Sequence, residues 1–206
     1  MLEELVRRAA EELRLREQAI NEVLARARRA RVLSKQAIIH IHGDAVLEAE
    51  ARLRNAEDLL REIKEIVSEH VEIGHFEEVV AAREEYAEAM IIHGLKTSGE
   101  FPSPDAVGVP VVAYLMGLGD VPGELRRQAL DALRVGDLEL AELKLNTMER
   151  IYLSLISMEE TPFLRGLRRK IDIARGLIER TRSELTAEVG RRRLNESVKR
   201  LAEKLE

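Results

Sequence analysis

An all-α fold is predicted for this chain: a single domain over residues 1–206, of about seven helices, with a long N-terminal helix. Three observations predict it. No Gly or Pro occurs before Gly43. Apolar residues recur at three- and four-residue spacing along the chain, and nowhere do they alternate as a half-buried strand requires. Charged residues make up 34% and aromatic residues 3% of the sequence, the profile of a helical protein rich in Leu, Ala, Glu and Arg.

The elements follow in order. Leu2, Leu5, Val6, Ala9 and Leu13, then Ile20, Val23, Leu24, Ala27 and Ala30, place one helix over about Leu2 to His42, on the order of 60 Å long. Gly43-Asp44 reads as a stop followed by an N-cap. A second helix runs to about His70, and a third from about His75 to Leu95, with Gly74 at their junction. "KTSGEFPSPDAVG" (96–108) is the main loop. A fourth helix spans about Val109 to Arg134. Gly136-Asp137 repeats the stop and cap, and a fifth helix covers Leu138 to Ser157. The sixth runs from about Pro162 to Glu188, and Gly190 separates a short last one. The fifth helix is apolar over most of its circumference, which fits either a subunit interface or a central core helix.

A chain of 206 residues can bury a sizeable core. Without cysteine it holds neither a disulfide framework nor a thiolate metal site. "MLEELVRRAAEELRLREQ" is charged throughout, unlike a signal peptide. The longest uncharged run, Ala106 to Gly119, is too short to span a bilayer. A cytoplasmic location is the expectation. The net charge of −5 argues against a generic nucleic-acid coat but leaves room for a local basic stripe.

"EEYAEAM" (84–90) poses the main chemical question. On a helical wheel, Glu85 falls between Ala81, Ala89 and Ile92, and Glu88 between Ala81 and Leu95, so both occupy apolar sectors. Ionised carboxylates there need a partner or a cation. Glu-x-x-Glu spacing alone says little, since it recurs at Glu62/Glu65 and Glu139/Glu142. "GLGDVPGELRR" places Asp120 and Glu124 at i and i+4. By themselves these two are equally an N-cap ahead of Pro122 or part of a solvated stripe with Asp131. Four carboxylates converging from two helices would suit Mg²⁺, with Mn²⁺ as a substitute, and phosphodiester hydrolysis.

Arg26 to Lys35 carries five positive charges in ten residues. Arg28, Arg31, Lys35 and His42 share a helix face, a stripe suited to a phosphate backbone or to the neighbouring glutamates. Glu72-x-x-His75 is half of a di-iron carboxylate motif, and its second half is missing.

Two blocks resemble the translin/TRAX family. Glu85-Tyr86-Ala87-Glu88-Ala89 is similar to the Glu-Tyr-Val-Glu-Ala motif of TRAX, the translin-associated factor X. "YLMGLGDVPGELRRQALDALRVGD" (114–137) is similar to its Tyr-Leu-x-Gly…Asp-Leu-Thr-Gly-Glu-Leu…Gly-Asp stretch. "SKQAIIHIH" resembles a first-helix segment of the same proteins, and Pro122 departs from the family's Thr. The resemblance implies a translin-like helical bundle. It also implies a Mg²⁺-dependent endoribonuclease site for single-stranded RNA at Glu85, Glu88, Asp120 and Glu124. Arg28, Arg31, Lys35 and His75 become candidate RNA contacts. Retention of all four carboxylates places the chain closer to TRAX, as a compact archaeal-type member, and implies a homo-oligomer, an octamer by family precedent. The partner is RNA, single-stranded or duplex with single-stranded parts, with DNA as a further candidate. The alternative is a translin-like shell that binds RNA or DNA without cutting it.

Overall fold

The computed structural model describes residues 1–158, 160, 161, 163, 164 and 166–205. All of its regular structure is helical among the described residues. The helices are α1 (Leu2–His42), α2 (Val46–Glu69), α3 (Glu77–Thr97), α4 (Pro104–Val107), α5 (Val111–Leu118), α6 (Val121–Arg134), α7 (Leu138–Ile156) and α8 (Leu167–Ala202), with a 3₁₀ turn at Val71–His75. Leaving out the single turn of α4, seven helices have eight residues or more. That matches the expected all-α class and helix number, although two of the breaks fall elsewhere. No helix among the described residues is long and apolar enough to cross a membrane.

The expected fourth helix is two helices. Pro122 has no N–H, and its ring would meet the carbonyl four residues back, at Leu118. α5 ends at that residue, and α6 restarts with Pro122 in its first turn. Conversely, the expected break at Gly190 does not occur, and α8 runs through it. A glycine inside a helix costs about 1 kcal/mol relative to alanine, which strong helix formers on both sides absorb. The expected start of that helix at Pro162 lies outside the described residues. The Gly43-Asp44 expectation is also corrected. Asp44, not Gly43, takes the left-handed conformation (φ 59°), and the N-cap of α2 is Ala45. Asp44 instead accepts a bond from Lys96 Nζ at 2.5 Å. The second stop behaves as read: Gly136 is left-handed (φ 81°), and Asp137 accepts from the Leu140 N–H at 2.9 Å.

The chain forms two compact units, Met1–Gly117 and Leu118–Glu206. In the first, α1 packs along α2 and α3. Its buried face is Val23, Ala27, Ala30, Ser34, Ala37 and Ile41, and the small side chains let neighbouring helices approach closely. Residues 1–18 of α1 are exposed, held locally by Glu–Arg pairs such as Glu4–Arg7 and Glu11–Arg14. In the second unit, α6, α7 and α8 pack against one another. α7 buries one stripe there (Ala141, Leu145, Met148, Ile151, Leu155), so it is a core helix on that side, while Leu143 and Leu153 are exposed.

Arg126 fastens α6 to α8. It donates to Thr181 Oγ1 and to Glu184 Oε1, both at 2.8 Å, with only 16% of its side chain exposed. Truncation strands the partly buried Glu184 carboxylate and leaves the buried Thr181 hydroxyl with only its bond to the Leu177 carbonyl. Arg126→Ala is therefore expected to cost about 2 kcal/mol in urea unfolding, and a change below about 0.5 kcal/mol would show the clamp to be idle.

Candidate functional site

In the first unit, α3 is enclosed around Glu85. Tyr86, Ala87, Glu88 and Ala89 are four consecutive buried residues, so the helix is covered on all sides at that level. Glu88 is 9% exposed and is the one charged residue buried among the described residues. The side chain of Glu85 is 16% exposed. Both carboxylates thus lie where the wheel places them, among apolar neighbours.

α1 supplies the cations beside them. Glu85 Oε2 lies 3.4 Å from Arg31 Nε and 3.6 Å from Lys35 Nζ, one turn apart on α1. Arg28 Nη2 lies 3.8 Å from Glu78 Oε1, in the first turn of α3. The basic stripe therefore runs along the acidic edge of α3, and three of its members are at least half exposed. Such pairs contribute little to stability, so the cations can exchange partners at small cost. His75 closes the 3₁₀ turn and is exposed. Glu72 is exposed there too, beside Arg16, away from any di-iron arrangement.

Close packing fixes the backbone under Glu88. A Cβ on Gly117 of α5 would sit 2.5 Å from the Glu84 carbonyl oxygen and 2.9 Å from both Ala87 Cβ and the Glu88 nitrogen. Only glycine lets α5 approach α3 so closely.

In the second unit, Asp120 stands at the N-cap of α6 but makes no capping bond. Its Oδ2 accepts from Lys170 Nζ of α8 at 2.5 Å, and 18% of the lysine side chain is exposed. Glu124 follows in the first turn of α6 and is half-buried. Each unit thus holds one carboxylate pair of its own. Within neither unit do three or more His, Asp or Glu side chains among the described residues gather to hold a metal ion. The donor chemistry nevertheless fits a hard divalent cation, since it consists of carboxylate oxygens alone, one of them on a buried residue.

No protein-family model matches the chain. An uncharacterised protein of Methanocaldococcus jannaschii is 31% identical over 149 residues, which cover 70% of this chain and 67% of that protein. A solved structure of AfC3PO in complex with duplex RNA is 38% identical, covers 93% of this chain and 98% of its own, and superposes with a TM-score of 0.82. A second structure, a crystal structure of AfC3PO, gives 39% identity, the same 93% of this chain, 99% of its own, and a TM-score of 0.81. The chain belongs to the C3PO/translin family. Apo-NeC3PO, at 24% identity, 89% of this chain, 96% of its own and a TM-score of 0.82, shares the translin-type fold.

Two features of this C3PO/translin chain escaped the sequence reading. Lys170 lies fifty residues from Asp120 and carries no local signal. Gly117 does carry one: it is a glycine inside an apolar helical run, which marks a close backbone approach.

Proposed function

We propose that the chain is a TRAX-like, archaeal-type endoribonuclease. It would act as a homo-oligomer, an octamer, cutting single-stranded RNA or single-stranded parts of duplexes in the cytoplasm. In this reading residues 1–206 work as one translin-like domain. The observation that carries it is Glu88, a carboxylate held buried one turn from Glu85 on an enclosed helix. The likeness to AfC3PO, solved with duplex RNA, supports RNA as the partner.

Glu85, Glu88, Asp120 and Glu124 would hold Mg²⁺, with Mn²⁺ as substitute. When bound, the ion supplies charge neutralisation at the phosphate and an acidified water for in-line displacement. The chain's own groups do the rest. A carboxylate of the set takes the proton of the attacking water. Arg31 and Lys35 release Glu85 to the cation and turn toward the RNA backbone, with Arg28 and His75 extending that path. The products are a 3′-hydroxyl and a 5′-phosphate.

One observation favours a second reading, binding of RNA or DNA without cleavage. Lys170 already neutralises Asp120, and Arg31 with Lys35 neutralises Glu85, so these carboxylates are satisfied without metal. Labelled single-stranded RNA incubated with Mg²⁺, Mn²⁺ or EDTA separates the two, with Asp120→Asn as control. Cleavage that needs metal, leaves 5′-phosphates and falls about 10²-fold or more in the variant supports the nuclease. RNA retained but uncut under every condition establishes the binding shell instead.

A further inference from the structure

A polar cavity lies wholly in the first unit. It is a cleft of about 530 Å³ between α2, α3 and the segment 104–110, within the size range of small-molecule sites. Arg83 and Tyr86 reach it from α3. They sit two residues before Glu85 and Glu88 respectively, about 200° around the helix, and so face away from the carboxylate pair.

The polar groups of this cleft are left over by the fold. Tyr86 is 2% exposed as a residue, and its hydroxyl, which opens to the cleft, makes no hydrogen bond to a described residue. The Arg83 guanidinium is half-buried and bonds, among the described residues, only to the Gly74 carbonyl oxygen, at 3.2 Å. No carboxylate offsets its desolvation, and burial pushes its pKa down. Lys64 on α2 forms no ion pair among the described residues, whereas its neighbour Arg61 is held by Asp58 at 2.5 Å. A guanidinium, an ammonium and a hydroxyl thus line one cleft, with the Glu57 carboxylate near the hydroxyl. Three donors of this kind match the oxygens of a phosphate monoester.

The rest of the lining narrows the ligand. Glu57 and Asp105 also line the cleft. They would repel a bare anion but accept hydrogen bonds from hydroxyl or amino groups. Leu60, Val109 and Pro110 add an apolar wall. We propose that this cleft binds a nucleoside monophosphate, with the phosphate on Lys64, Arg83 and the Tyr86 hydroxyl. The sugar and base then meet Glu57, Asp105 and the apolar wall.

Calorimetric titration of the full chain with adenosine 5′-monophosphate tests this, with adenosine and inorganic phosphate as separate arms. The expected result is binding by the monophosphate, with both fragments about tenfold weaker or worse. Lys64→Gln, at an exposed position, should weaken it about tenfold, and Tyr86→Phe, which keeps the ring, by a smaller factor. Glu88→Gln should leave it unchanged, which separates this cleft from the proposed nuclease site. Absence of binding at millimolar nucleotide, indifference to both Lys64→Gln and Tyr86→Phe, or equal affinity for inorganic phosphate would each overturn the proposal.

Discussion

Glu88→Gln is expected to lower metal-dependent RNA cleavage about 10²–10³-fold while leaving the melting temperature almost unchanged. Glutamine keeps the volume and one carbonyl acceptor, so the packing around this buried position survives, with a cost within about 1 kcal/mol. The negative charge is lost, and with it one ligand of the proposed divalent-cation site. Glu88→Ala is the less informative variant, because it also opens a cavity beside Ala87 and Gly117. Parallel measurement of initial cleavage rate and thermal unfolding distinguishes the cases. Equal loss of rate and of stability would mean that Glu88 is architectural, and an unchanged rate would remove it from the site.

Gly117→Ala should destabilise the first unit by about 3 kcal/mol, a fall of roughly 10 °C in the midpoint of thermal unfolding. The added methyl meets backbone, the Glu84 carbonyl and the Glu88 nitrogen, and not the yielding end of a side chain. Relief requires α5 to lift from α3. Since that contact lies directly beneath Glu88, any surviving activity should fall as well. Gly123→Ala is the matched control. A Cβ there meets nothing within 4 Å, and a helical alanine is favoured over glycine. If both variants melt together with the parent, the close approach of α5 to α3 does not exist in solution.

The helical class was legible because periodicity is local, and α1 was placed at its observed bounds by the lack of any breaker before Gly43. The errors share one cause: a breaker acts only through what surrounds it. Pro122 broke a helix because its ring points at Leu118, whereas Gly190 broke nothing because α8 is strong on both sides. Asp44 read as a cap, but Lys96, far along the chain, offered it a better partner. At the candidate site, burial of Glu85 and Glu88 was legible from their wheel neighbours. The roles of Arg31 and Lys35 as counter-charges of Glu85, and of Lys170 as that of Asp120, depend on contacts across 50 residues or more and leave no periodic trace.

The exposed first stretch of α1 makes a single rod out of two energetic regimes. Beyond Val23 the helix is welded to its neighbours by its alanine face, and its backbone amides can exchange with solvent only when the whole unit opens. Before Ala19 mainly short-range Glu–Arg pairing and intrinsic propensity hold the turns, with one long contact from Arg16 to Glu72, so they unwind and rewind on a timescale close to that of an isolated peptide helix. Salt weakens the pairs before Ala19 and leaves the packed stretch beyond Val23 untouched. Ionic strength thus sets how far the rigid rod extends from the body of the protein, and with it the reach of the N-terminus.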